Sequence, residues 1–152
     1  MFSRREWLRA AAASAAGVLV SRRLPAQSTA PIAMTVYKSP SCGCCKKWVQ
    51  HVEANGFKAV VQDLENLDEI KRTMAVPGAL QSCHTALVGT YVVEGHVPAD
   101  VVHKMLKEKP AIHGLAVPGM PSGSPGMEGG AVEHYEIVAF ERNGKTKVYA
   151  RR

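Results

Sequence analysis

Cysteines 42, 44 and 45 stand in the run Ser39-Pro40-Ser41-Cys42-Gly43-Cys44-Cys45-Lys46-Lys47-Trp48, and the chain's only other cysteine, Cys83, lies in Gln81-Ser82-Cys83-His84-Thr85. Cys42 and Cys45 form a C-x-x-C pair. Where such a pair opens a helix, the helix dipole and the unpaired N–H groups of the first turn stabilise a thiolate. Lys46 and Lys47 add positive charge beside it. One chemistry open to the pair is thiol–disulfide exchange, with Cys42 attacking and Cys45 resolving. Cys44 has no part in a two-thiol exchange. Long-loop structural disulfides fit poorly, because Cys44 and Cys45 are adjacent and Cys42 and Cys44 are too close in sequence for an unstrained bridge.

Converging thiolates suit soft metals: Cu(I), Zn(II) or an iron–sulfur cluster. Mononuclear zinc draws its ligands from separated C-x₂₋₄-C pairs, and a C-x-C-C spacing matches none of the usual iron–sulfur patterns. Adjacent thiolates are better at bridging several ions than at wrapping one. The preferred occupant is therefore a polynuclear Cu(I)-thiolate cluster, with zinc as the alternative. Met120 and Met127, each preceded by Pro-Gly in a loop, offer thioethers that favour Cu(I), and the loop could lie across the site as a lid. The competing role for both is filling an apolar gap. His84 beside Cys83 is a weaker ligand candidate, balanced against a plain loop role. His113 and His134 flank the methionine loop, and His113 is kept as a further weak candidate. His51 and His103 read as exposed helix residues, His96 as serving the start of the third helix, and Trp48 as core.

The elements that must position these residues follow from periodicity and punctuation. Met34–Tyr37 alternates as a strand. Ser39-Pro40-Ser41 breaks it, and a helix runs from about Cys44 to Ala54 with Cys45, Trp48, Val49 and Val52 on one face. Asn55-Gly56 stops the helix, and Phe57–Val61 is a second strand. Asn66 resembles the N-cap of a capping box completed by Glu69, with Leu67, Ile70 and Met74 as the apolar stripe of a helix ended by Pro77-Gly78. Thr85–Val88 and Tyr91–Glu94 are short strands around Gly89. Pro98 begins a third helix with Val101, Val102, Met105 and Leu106 inside, and Pro110 ends it. Residues 111–130, rich in Pro, Gly and Ser, carry no packed element. Tyr135–Glu141, Asn143-Gly144 and Lys145–Tyr149 form a hairpin.

This β-α-β-α-β-β-α order, with a cysteine pair in the turn after the first strand, is the thioredoxin arrangement. The expected fold is α/β and thioredoxin-like, with a C-terminal Met-containing loop and a β-hairpin extension. In that fold the loop before the third strand faces the C-x-x-C turn and normally holds a cis-proline. Here Cys83 and His84 occupy it, and no proline stands between Gly78 and Pro98. So placed, Cys83 completes a four-sulfur cluster.

The chain's formal charge of +6 is not a nucleic-acid footprint: Arg4, Arg5, Arg9, Arg22 and Arg23 crowd the first 23 residues, and the net charge beyond residue 26 is +2. Residues 1–26 read as a twin-arginine signal peptide whose apolar stretch, Ala10–Val20, is shorter than the roughly 20 residues of a membrane span. Residues 27–33 read as a linker and 34–152 as one domain. The expectation is export to the periplasm with no membrane span after signal removal.

The run Tyr37–Cys45, the Ser82-Cys83-His84-Thr85 step, and Gly114-Leu115-Ala116-Val117-Pro118-Gly119-Met120-Pro121 with Gly126-Met127-Glu128 together resemble the CopG-type copper-resistance proteins, a periplasmic thioredoxin-like group. The resemblance spans about residues 34–150 in three ordered motifs. It implies a copper cluster bridged by Cys42, Cys44, Cys45 and Cys83, and a part in copper tolerance by sequestration or by redox handling of Cu(I) and Cu(II). Copper ions, and another periplasmic copper protein, are the implied partners. A zinc-stabilised interaction module and a Cys42/Cys45 oxidoreductase are the alternatives.

Overall fold

The computed structural model describes residues 30–152; the expected leader lies outside the described residues. The elements are β1 (Ile32–Lys38), α1 (Gly43–Ala54), β2 (Phe57–Asp63), α2 (Asp68–Thr73), a 3-10 turn (Gly78–Leu80), β3 (His84–Val88), β4 (Tyr91–Glu94), α3 (Ala99–Glu108), β5 (Gly114–Ala116), β6 (Glu136–Phe140) and β7 (Thr146–Arg151). They build one seven-stranded sheet in the order β2-β1-β3-β4-β5-β6-β7. The expected α/β architecture is present, with a parallel β1-α1-β2 unit and an antiparallel β3-β4 pair.

The inner face of α1 is the one its periodicity predicts: Cys45, Trp48, Val49 and Val52 are buried. Trp48, Val49 and Val52 join Met34 and Val36 of β1, Ala86 and Val88 of β3, and Val101, Val102 and Met105 of α3 in the main core. The Trp48 indole N–H donates to the Val97 carbonyl at 2.9 Å, so the largest core side chain also satisfies its one polar atom.

Several local expectations need correction. β1 takes in Ile32 and Ala33, which the composition assigns to a linker; pairing of Ile32 with Phe57 extends the strand. Asn66 is not the N-cap of α2. Leu67 holds that position, and Asn66 Oδ1 instead accepts from the Asp68 N–H at 2.7 Å, an Asx turn one residue earlier. Helix α2 ends at Thr73, ahead of Pro77, and Ala75 takes a positive φ of 50°, whereas α3 ends at Glu108 with its C-cap Lys109 at φ 48° directly before Pro110, as expected. The expected apolar stripe of α2 is only half-buried, and the buried residue of that helix is Lys71.

A further correction is β5, inside the segment expected to hold no element. It pairs parallel to β4 and antiparallel to β6, and all three of its residues are buried. Three residues are too few to show a period. Gly114 is what lets the strand in, since a Cβ there would meet the Val92 carbonyl oxygen at 2.2 Å and the Phe140 ring at 2.8 Å. The Asn143-Gly144 hairpin forms as expected, with Gly144 at φ 83°.

Gly114→Ala should therefore lower unfolding stability by about 2 kcal/mol or more. Gly78→Ala, where an added Cβ meets nothing within 4 Å, should stay within about 0.5 kcal/mol of the parent. Urea denaturation of both variants checks the pair of values, and equal effects would refute the close-approach argument.

Candidate metal centre

Strand register brings the sulfur-bearing segments together. β1 runs antiparallel to β3 with Lys38 opposite His84, so the turn leaving β1 lies beside the residue entering β3, which is Cys83. β3 pairs with β4 through Thr85 opposite Glu94, and the Gly95 N–H donates to the His84 carbonyl at 3.0 Å. The next residue on that side is His96. β5 lies parallel to β4 with Ala116 opposite Glu94, so the loop that starts at Pro118 also leaves from this edge of the sheet. Four chain segments thus converge at one end of the central strands.

Cys42 is the N-cap of α1, and its sulfur accepts from the Cys45 N–H at 3.3 Å. The first turn of α1 holds no acidic residue, and Lys46 and Lys47 are exposed. Cys42 and Cys45 are joined as a disulfide, while Cys44 and Cys83 are free thiols. The Cys44 sulfur is 3.5 Å from that of Cys42 and 3.9 Å from that of Cys83. The Cys45 sulfur sits 3.7 Å from the Cys83 carbonyl oxygen. All four sulfurs lie within 4.8 Å of one another.

Cys83 has two imidazole neighbours. His96 Nε2 is 2.9 Å from its sulfur and His84 Nδ1 is 3.3 Å away. These three ligand atoms also lie within 4.8 Å of one another. His96 Nδ1 donates to the Pro125 carbonyl at 2.7 Å, which leaves Nε2 as the acceptor of the neutral ring and Cys83 S–H as the donor. Burial and the adjacent Cys44 push the Cys83 thiol up to about 12, in keeping with a protonated sulfur held on an imidazole. His84 is fully buried under Trp48, with ring centroids 4.3 Å apart. Burial, then His96 and Lys71, hold its pKa well below the usual histidine value, so it stays neutral. Its Nε2 is the one buried side-chain nitrogen or oxygen without a hydrogen-bond partner among the described residues.

Behind Cys83 lies a buried polar network. Lys71 of α2 pairs with Glu94 of β4, and both side chains are buried. Glu94 Oε1 also accepts from the Ser82 N–H at 2.7 Å, and Oε2 accepts from the Thr85 hydroxyl at 2.6 Å.

Over the sulfurs runs the loop after β5. It is tied down by Ser82 Oγ donating to the Gly119 carbonyl at 2.5 Å and by His96 donating to Pro125. Gly126, at φ 94°, packs so tightly that a Cβ would meet the Cys44 carbonyl oxygen at 2.7 Å and His96 Nδ1 at 3.2 Å. The loop is ordered by its own turns: Ser124 Oγ donates to the Pro121 carbonyl at 2.6 Å and the Met127 N–H to the Ser124 carbonyl at 2.8 Å. Met127, half-buried, lines a cleft with Gly43, Cys44 and Lys47. Met120 is 52% exposed at the rim of the fold.

The structure therefore gathers Cys42, Cys44, Cys45, Cys83 and His84, with Met127 beside them. His113 is elsewhere. Its carbonyl accepts from the Val92 N–H at the far end of β4, and its Nε2 donates to the Met74 carbonyl at 2.8 Å. His134 lies against the Arg152 carbonyl. His51, rather than being a plain exposed residue, accepts from the Ala99 N–H at 3.1 Å and so serves the start of α3, the role expected of His96. His96 was the residue the sequence undersold. Its signal was positional: it follows a strand whose hairpin partner is preceded by Cys83.

A mixed α/β sheet with four sulfurs and two imidazoles gathered at one edge defines a thiol-rich metal-binding class. A family model described as "Protein of unknown function, DUF411" matches residues 80–127, which carry Cys83, His84, His96, Met120 and Met127. Two solved structures of copper resistance protein CopG, Form 2 and Form 1, align at 42% and 43% identity with TM-scores of 0.75. Each alignment covers 80% of this chain and 98% of the other. None of the curated proteins matches the chain in sequence. The chain belongs to the CopG family of copper-resistance proteins.

The two free thiols should differ sharply in reactivity. A pKa of about 12 leaves Cys83 as thiolate in about one molecule in 10⁴ at pH 8. Iodoacetamide at pH 8 should label Cys44 more than about tenfold faster than Cys83, with Cys83 labelling rising as pH increases. Mass spectrometry of timed digests checks this, and equal rates would mean that His96 holds Cys83 as an ion pair instead.

Proposed function

We propose that the protein binds copper in copper resistance, as a polynuclear Cu(I)-thiolate cluster on Cys42, Cys44, Cys45 and Cys83. The observation that carries the reading is Cys44, whose sulfur stands between those of Cys42 and Cys83 at 3.5 and 3.9 Å. A sulfur in that position can bridge two ions, whereas a disulfide exchanger has no use for it. The donor set fits copper in a second respect: the neutral imidazole of His84, whose Nδ1 is 3.3 Å from the Cys83 sulfur, and the thioether of Met127 in the cleft beside Cys44 are soft or borderline ligands close at hand.

Four thiolates are available only after the Cys42–Cys45 disulfide has taken up two electrons and two protons from a dithiol. Binding then requires loss of the thiol protons. His96 Nε2 is placed to accept that of Cys83, and the Pro125 carbonyl keeps the ring oriented in both charge states. The α1 N-terminus favours the negative charge of the sulfurs at its first turn. Met127, and Met120 further out, give copper a thioether path between solvent and the cluster. The same thiols let the protein act by sequestration or by interconverting Cu(I) and Cu(II). Reading residues 1–26 as a twin-arginine leader supports a periplasmic setting, with a second copper protein as donor or acceptor. No helix among the described residues is long and apolar enough to cross a membrane.

A second reading, thiol–disulfide oxidoreductase, is favoured by the one disulfide, which joins Cys42 and Cys45 at the start of α1. The two separate cleanly. Purified without air and reduced, the parent chain should bind several Cu(I) ions, and Cys44→Ser and Cys83→Ser should each remove at least one equivalent. Metal analysis and Cu(I) titration against a competing chelator check this. A single zinc with no copper, or a full copper complement in Cys44→Ser, would overturn the cluster. Disulfide-reductase turnover that survives both substitutions would establish the exchange reading.

A further inference from the structure

The sulfur and imidazole chemistry leaves one buried charged group without a task, the Lys71–Glu94 pair. Glu94 is 0% and Lys71 5% exposed. Among the described residues it is the one ion pair with both side chains buried; the Lys38–Asp63 pair has its carboxylate 52% exposed. Burying two charges is costly, and an apolar pair of similar volume is often as stable or more so. Stability is therefore a poor account of why it is there.

Its hydrogen bonds give a better one. The Glu94 carboxylate holds the backbone N–H of Ser82 with one oxygen and the hydroxyl of Thr85 with the other, at 2.7 and 2.6 Å. Lys71 closes the network by donating to Glu94 and, at 3.0 Å, to Thr85 Oγ1. Ser82 and Thr85 bracket Cys83 and His84 in sequence. Two charge-assisted bonds thus pin both ends of the dipeptide that carries the fourth sulfur and its buried imidazole. Ser82 lies before β3, outside the strand, and its hydroxyl donates to Gly119 in the overlying loop and lies 4.0 Å from the Cys83 sulfur. The Ser82 anchor is the one that sets where Cys83 points.

We propose that Glu94, held by Lys71, is a positioning residue of the sulfur site: its carboxylate fixes the Ser82–Thr85 segment so that the Cys83 thiol is presented to Cys44 and His96. The role deepens the copper reading and rests on it for its purpose, while the geometry involved is that of the metal-free chain.

A metal-free measurement tests it. In the Cys42→Ser/Cys45→Ser background only Cys44 and Cys83 remain, with sulfurs 3.9 Å apart. Their effective concentration is read from the equilibrium of the Cys44–Cys83 disulfide in a glutathione buffer, alongside the thermal midpoint. Adding Lys71→Met/Glu94→Leu removes both charges and the acceptor for Ser82. The effective concentration should fall about tenfold or more, with the thermal midpoint little changed. Adding Lys71→Met/Glu94→Gln removes the charges but keeps an amide oxygen for the Ser82 N–H. That variant should stay within about threefold of the background. A folded leucine variant with undiminished effective concentration would make the pair purely structural and overturn the proposal. So would a folded glutamine variant that loses as much as tenfold, and this second variant decides the matter if the leucine variant fails to fold. A Cu(I) titration of the parent chain is run in parallel. Absence of copper binding there overturns the copper reading, while the effective-concentration result still stands for the positioning role.

Discussion

The constraint on which the sulfur site depends is the antiparallel register that sets Lys38 opposite His84. A slip of one residue would turn every side chain of β3 to the other face. It would also carry Cys83 away from the turn that holds Cys42, Cys44 and Cys45. The register is specified on both sides. Val36 and Met34 of β1 and Ala86 and Val88 of β3 are buried in one core, so the inward set is fixed by apolar burial. Lys38 itself is buried and spends its ammonium on Asp63 at 2.5 Å and on the Ser39 carbonyl at 3.1 Å, which ties the end of β1 to β2 and to the start of the cysteine turn. The site is thus a consequence of sheet pairing, and the chemistry-bearing loops inherit their placement from it.

Within the site two electrostatic environments meet. The sulfurs at the start of α1 lie at a helix N-terminus with no acidic residue in its first turn and two exposed lysines. Cys83 comes from across the sheet, where burial and the neighbouring Cys44 push its thiol up to about 12. The imidazole of His96 is what reconciles the two. A neutral ring oriented by Pro125 holds the Cys83 proton by a hydrogen bond and is the nearest acceptor when a cation displaces it. Because Pro125 lies in the overlying loop, the group that orients the imidazole is part of the segment that covers the sulfurs. The closeness of Gly126 to the Cys44 carbonyl follows from the same contact, and it explains why a loop of Pro, Gly and Ser takes a defined path with no core of its own.

Much of this was legible in the sequence, and what was not has a physical reason. The α1 face, the β3-β4 pair and the hairpin are long or strongly punctuated, and period and turn chemistry reveal them. The four cysteines were readable because thiols at C-x-C-C spacing have few uses. β5 was not readable: three residues, Gly114–Ala116, carry no period, and their pairing is settled by what Gly114 lets through rather than by propensity. Lys71 was hidden for a related reason. The apolar residues of α2 mark a face that is only half-buried, while the lysine beside them goes into the core because Glu94 is there to meet it. A one-dimensional pattern does not show the two as a pair. Glu94 at the end of the apolar run Tyr91-Val92-Val93 was the visible half, since a carboxylate on a buried strand demands a partner. His51 takes the role expected of His96, and His96 meets the thiol, for the same reason: which imidazole meets a helix N-terminus and which meets a thiol is decided by tertiary placement.

The disulfide and the proposed cluster are exclusive uses of the same atoms. When Cys42 and Cys45 are bonded to each other, Cys44 and Cys83 are the thiols left, and their sulfurs, 3.9 Å apart, lie close to two imidazoles. Reduction of that bond adds two further thiols, and the four sulfurs already lie within 4.8 Å of one another. On the proposed copper reading, the electrons that open the disulfide therefore raise the number of thiols offered to the metal from two to four. A fold that only exchanged disulfides would need no sulfur in the space between the pair and the opposite loop. Cys44 occupies that space, and its place there links the redox state of one pair of thiols to the ligand set of the whole site.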